Sequence, residues 1–281
     1  MKSLGFGSSR VFKKVGVLLA LSCVGSLSLY AAPVDSEIVI LVDAQTFSAG
    51  SFDLALEGVA RAFEQQSFAD SVASGPFGAV AASVLVFGSN GTTTEVPSTN
   101  LSSESDLSIF ADAVRSVTQP PSFGTISYVD AISTAAASLA ASSAEGTLRQ
   151  LTVIEDGAFF LFNNTAAEIS AARDVALANS FDVINSVVYN AGVTGGARAD
   201  AIEGFYNANV VGGGPGGEVE VVTGSLFGAP AGAVGEEIAN TIAAQVSQPT
   251  VEAVTLASVP EPSTLFLGGL SFAVLLVRRR S

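Results

Sequence analysis

Three carboxylates are the residues in this chain whose types and spacing could do chemistry. Asp43 closes the apolar run EIVILVD at residues 37–43, and Glu155-Asp156-Gly157 follows a second run, LTVI. If the two runs are neighbouring strands, their acids meet at one sheet edge. Like charges within about 6 Å destabilise one another unless a cation binds or a pKa rises. Oxygen donors suit a hard cation, Ca²⁺ or Mg²⁺. The competing outcome is a vestigial loop in which Asp43 and Asp156 accept hydrogen bonds from backbone amides. A hard cation wants about six oxygens, which favours the vestigial loop. Glu155 and Asp156 are adjacent in one loop and poorly placed to flank a scissile bond, so no catalytic residue is expected. Gly212 to Gly217 (GGGPGG) lacks the lysine of a phosphate loop and reads as a turn.

Composition narrows the chemistry further. The 281 residues contain no histidine or tryptophan, and the only cysteine is Cys23. Imidazole or thiolate catalysis, disulfides and soft-metal sites are thereby excluded from the body. Seven of the twelve basic residues lie at the two ends, leaving five arginines against all 26 acids between residues 33 and 277. Such a body does not track phosphates, so no nucleic-acid partner is expected. Anionic lipid headgroups repel it as well.

The ends read as sorting signals. Residues 1–32 have a basic start, an apolar run (VGVLLALSCVGSLSL) and small residues at Ala31-Ala32, the plan of a secretory signal peptide. An uncleaved N-terminal anchor is the alternative. At the other end, Pro260-Glu261-Pro262 precedes an apolar stretch at residues 264–277 and then Arg278-Arg279-Arg280. As a helix that stretch is about 21 Å long, short of the roughly 30 Å hydrocarbon core. The arginines would stay cytoplasmic. Motif, apolar helix and arginine cluster, in that order, resemble the PEP-CTERM sorting signal of Gram-negative bacteria. The resemblance implies an exosortase-type processing enzyme as partner, with the inner membrane holding the tail at least transiently. It also implies an association with exopolysaccharide matrix. An ordinary C-terminal anchor is the alternative.

The elements that must position the acids alternate between short β-branched runs and amphipathic stretches. Strands are expected at residues 37–43, 79–87, 151–155, 183–189 and 218–222, with a polar edge strand at 93–101 demoted by Pro97. Helices are expected at 51–66, 106–117, 128–141, 166–178, 197–206 and 234–246. Such alternation implies an α/β fold, a three-layer, doubly wound and mostly parallel sheet. It forms one domain over residues 33–250, followed by a linker at 251–258 and the tail at 259–281. Ligands of such sheets bind at the carboxyl ends of the strands.

The stretches EIVILVDAQTFSAGSFDLALEGVARAF, SVLVFGS, GTISYVDAI, LTVIEDG, FDVINSVVYN and FYNANVVGGGPGG resemble, in order, a von Willebrand factor A (vWA) domain. They are more closely similar to a vWA-like domain of unknown function in secreted bacterial proteins. The resemblance implies a metal-ion-dependent adhesion site built from Asp-x-Ser-x-Ser, a threonine and a later aspartate. Asp43 and Asp156 match, and Thr125 matches approximately. Gln45 and Phe47 stand where the serines belong, so the site is degenerate. No cofactor is implied beyond weak Ca²⁺ or Mg²⁺ binding. The expected function is an exported, non-catalytic module that binds a protein or exopolysaccharide at the cell surface. The alternative is a structural matrix component without a discrete ligand.

Overall fold

The computed structural model describes residues 31–45, 49–121, 125–157, 162–189, 196–213, 217–222 and 231–247. Almost all of the signal segment, and Thr46, Phe47, Ser48, Gly124, the linker and the whole C-terminal tail, lie outside the described residues. Among the described residues no helix is long and apolar enough to cross a membrane.

Among the described residues, seven strands form one mixed sheet: β1 (Ala32–Asp43), β2 (Val80–Gly88), β3 (Gly91–Leu101), β4 (Ala144–Glu155), β5 (Val183–Tyr189), β6 (Gly212–Gly213) and β7 (Val219–Val222). Their order is β3-β2-β1-β4-β5-β6, with β7 also pairing β5. β1, β2, β4, β5 and β7 run parallel, whereas β3 and β6 are antiparallel additions. Chain order leaves β1 toward β2 and later resumes on its other side at β4. The switch point therefore lies between the carboxyl ends of β1 and β4, where Asp43 and Glu155 sit.

The helices are α1 (Ala49–Glu64), α2 (Gln66–Ser74), α3 (Glu104–Arg115), α4 (Tyr128–Ala140), α5 (Ala166–Asn179), α6 (Gly196–Asn209) and α7 (Ala231–Val246). Side chains alternate across each strand, so β1 supplies Ile38, Ile40 and Val42 to one core and Val39 and Leu41 to the other. The first core is covered by α1, α2, α3 and α7 through Phe52, Phe63, Phe68, Phe110 and Ile238. The second is covered by α4, α5 and α6 through Tyr128, Ile132, Ile169 and Tyr206. This is the expected three-layer α/β arrangement.

The departures from expectation have local causes. β1 and β4 both start earlier than their apolar runs, at Ala32 and Ala144, because these segments pair with each other in register. α2 escapes the sequence pattern: Phe68 and Val72 are its buried residues, too few to mark a period over nine positions. β3 is an edge strand, and its register shifts around Pro97, which has no N–H to donate to a ladder. The expected glycine turn begins as β6, where Gly213 at φ +106° lies against Asp182 and Val183.

Candidate functional site

β1 delivers Asp43 to the sheet edge fully buried. Its Oδ1 accepts from the Gln45 N–H at 2.7 Å, so the carboxylate itself forms the turn that follows the strand. Ala44 N–H donates to Phe87 O at 2.8 Å, and its carbonyl accepts from Gln119 Nε2 at 2.7 Å. Gln45 Oε1 accepts from Ser89 N–H at 3.1 Å. The residue in place of the first serine thus spends its carbonyl on tying β1 to the β2–β3 turn.

β4 ends in Glu155, and Asp156 and Gly157 turn the chain away, Gly157 with φ +77°. Asp156 is half-buried, but Glu155 is only 1% exposed. Alternation places Glu155 on the same face as Leu151 and Val153, beneath α4 and α6. Tyr128 Oη donates to Glu155 Oε1 at 3.1 Å. Tyr206 brings its hydroxyl close enough to favour the ionised form, yet neither Tyr206 Oη nor Glu155 Oε2 has a partner in hydrogen-bond geometry. Burial dominates and pushes the Glu155 pKa well up; the negative charges of Asp43 and Asp156 add to it. Burial, reinforced by Glu155, likewise keeps both tyrosines protonated.

Aromatic rings close this pocket. Tyr128 meets Phe87 edge-on with centroids 5.8 Å apart and lies 4.9 Å from Phe162. Phe162 leads to Phe205, which packs 5.4 Å from Tyr206. The neighbouring loop is held by a bridge between Ile126 and Phe162, and by Asn163 N–H donating to Ile126 O at 2.9 Å. Thr125 immediately precedes that bridge and is exposed.

Of the two outcomes open to acids crowded at one edge, a bound cation or a raised pKa, Glu155 shows the raised pKa. Glu155 points inward, where burial above all, and then the charges of Asp43 and Asp156, push its pKa well up, although the Tyr206 and Tyr128 hydroxyls favour the ionised form. Among the described residues, no group of three or more acidic, histidine or cysteine side chains is placed to hold a metal ion. Asp43 ends β1 and Asp156 follows β4 at neighbouring strand ends. The Tyr128–Glu155–Tyr206 cluster was missed in the sequence. One signal could have found it: the chain uses phenylalanine 18 times and tyrosine four times, and Tyr128, Tyr189 and Tyr206 are all fully buried.

A model of the PEP-CTERM protein-sorting motif matches residues 258–280. Several solved structures are similar in fold. The vWA domain of SpRpn10 aligns at TM-score 0.49 and 12% identity over 74% of this chain and 95% of that one. The pilus adhesin SpaC of Lactobacillus rhamnosus aligns at TM-score 0.48 and 14% identity, covering 77% of this chain and 31% of that one. Proximal thread matrix protein 1 from the mussel byssus, with a zinc-occupied MIDAS motif, aligns at TM-score 0.45 and 15% identity over 84% of this chain and 53% of that one. No curated protein matches the sequence. The family model of a protein of unknown function, DUF1194, matches residues 33–226, and the chain belongs to that family.

Proposed function

We propose that this chain is an exported, non-catalytic binding module, delivered through its C-terminal motif by an exosortase-type enzyme to the cell envelope or extracellular matrix of a Gram-negative bacterium. Residues 1–32 are its signal peptide and residues 251–258 the spacer before the sorting tail. A protein or exopolysaccharide partner meets the loops at the carboxyl ends of the strands. The observation that carries this reading is the sorting motif at residues 258–280 behind a DUF1194 domain on one chain. The site geometry supports the non-catalytic part. Its most perturbed carboxyl is sealed among aromatic rings, the chain has no histidine, and among the described residues there is no thiol.

A cation at Asp43, Asp156 and Thr125 is at most weakly held. Gln45 already gives its carbonyl to Ser89 N–H, and Asp43 accepts from the backbone of its own turn. Ca²⁺, with looser coordination, fits such a donor set better than Mg²⁺. The test is retention: immobilised exported protein is incubated with envelope proteins and with purified exopolysaccharide. A defined protein or glycan retained by the wild type and lost on Thr125→Arg, which adds bulk and charge at the edge, supports a binding module. Retention of nothing, with the protein abundant in the matrix, favours the structural alternative.

A further inference from the structure

Gln150 and Thr152 of β4 and Asn185 of β5 interrupt the first apolar core, and all three are fully buried. Alternation puts Gln150 and Thr152 on the same face as Ile154, and Asn185 on the same face as Val187. This is the face on which α7 packs against β4, β5 and β7. Thr152 and Asn185 stand directly opposite each other in the parallel register. On its other side Thr152 faces Ile40 of β1, so the strip is polar on β4 and β5 and apolar on β1. From above, α7 turns one polar side chain of its own inward, the buried Gln245.

Some of these groups are satisfied. Gln150 Nε2 donates to Ser36 Oγ at 3.2 Å, and Asn185 Oδ1 accepts from the Glu218 N–H at 3.2 Å. Gln150 Oε1, Thr152 Oγ1, Asn185 Nδ2 and Gln245 Oε1 have no partner among the described residues. Native cores rarely keep even one such orphan, because its lost hydration is not repaid. Three on one strip, with a fourth on the helix that covers it, call for an occupant that both donates and accepts. The four groups are neutral, which suits water and not an ion.

The spacing agrees. Residues opposite each other on adjacent strands lie about 5 Å apart. A water with two hydrogen bonds of about 2.8 Å spans that gap. Gln150 is two residues from Thr152, about 6.6 Å along the strand, and so needs a water of its own. Ser36, which Gln150 holds, lines a groove of ≈ 230 Å³ at the amino ends of the strands, together with Val246 and Ser247 at the end of α7. Water reaches the strip from there.

We propose that the β4–β5 face under α7 is a buried hydration site. One water bridges Thr152 Oγ1 and Asn185 Nδ2, and a second, nearer the groove, donates to Gln150 Oε1 and Gln245 Oε1. The last turn of α7 is thereby seated on bound water, whereas Ile238 and Ile242 further back lie in apolar contact.

The exported chain is labelled with ¹⁵N, and cross-relaxation from water to the side-chain amides of Asn185 and Gln150 is measured. Both should show contacts with the sign of long-lived bound water. Thr152→Val keeps the shape and removes the hydroxyl. It should abolish the contact at Asn185 and leave the one at Gln150. It should also lower the urea midpoint, because Asn185 Nδ2 loses its bridged partner. A wild type without a long-lived contact at Asn185 overturns the first water, and one without it at Gln150 overturns the second. A Thr152→Val variant that keeps the Asn185 contact also overturns the bridge. So does a midpoint above that of the wild type, the result expected when a dry, unpartnered hydroxyl is removed.

Discussion

Replacing Glu155 by glutamine should stabilise the domain at neutral pH and leave it unimproved in acid. Glutamine keeps the volume and an Oε1 that accepts from Tyr128, but it cannot ionise. The wild-type carboxyl has an ordinary value of 4.5, raised well above this by burial and then by Asp43. A carboxyl whose folded value exceeds its unfolded one takes up a proton on folding. The stability it allows is fully present below the unfolded value and is lost as pH rises toward the folded one. Across that window the loss is about 1.4 kcal/mol per pH unit. Urea midpoints followed by far-UV circular dichroism on wild type and Glu155→Gln, from about pH 4 to about pH 8, measure it. The two midpoints should lie close together at the acid end, and the variant should pull ahead as pH rises. Tyr128→Phe on the wild type should cost about 1–2 kcal/mol, because it leaves Oε1 buried without its donor. Parallel curves over the whole range would refute the reasoning. A variant less stable than wild type at neutral pH, with the deficit growing in Ca²⁺, would show an ionised Glu155 held by a cation.

Gly58 lies at the crossing of α1 and α7, where an added Cβ would sit 2.8 Å from Ile238 Cβ. Gly58→Ala should therefore cost about 1–3 kcal/mol by overpacking, read from the same urea midpoints. The double variant Gln45→Ser, Phe47→Ser should gain or strengthen Mg²⁺ binding by calorimetry, while the wild type binds weakly or not at all near millimolar Mg²⁺. Tight wild-type binding abolished by Asp156→Ala would overturn the vestigial site. N-terminal sequencing of exported protein should begin near residue 32, and an intact Met1 or Lys2 there would rule out signal cleavage.

The alternation of elements was legible because residues 37–43 of β1 are a continuous apolar run and α1 repeats Leu54, Leu56, Val59, Ala60 and Phe63 toward the sheet. The last four are buried and Leu54 partly so. The edge position of β3 was legible from Pro97 alone. What stayed hidden depended on partners distant in sequence. The early halves of β1 and β4 have mixed polarity and are strands only because Val34 pairs with Gly146 and Ser36 with Leu148. At the site, Asp43 and Asp156 could be read from position along the chain. The inward turn of Glu155 could not, since it depends on α4 and α6 bringing two tyrosines over one strand end. Gln45 was visible as a lost serine. Its engagement with Ser89 needed the β2–β3 turn to be in place.

The central claim is that the folded domain is sorted through its tail. It is tested most directly by the intact mass and the compartment of the chain, with and without Pro260-Glu261-Pro262 replaced by alanines. The wild type should appear outside the inner membrane as a species lacking the tail, and the variant should accumulate as a longer, membrane-bound form. The same mass and the same compartment for both would contradict it.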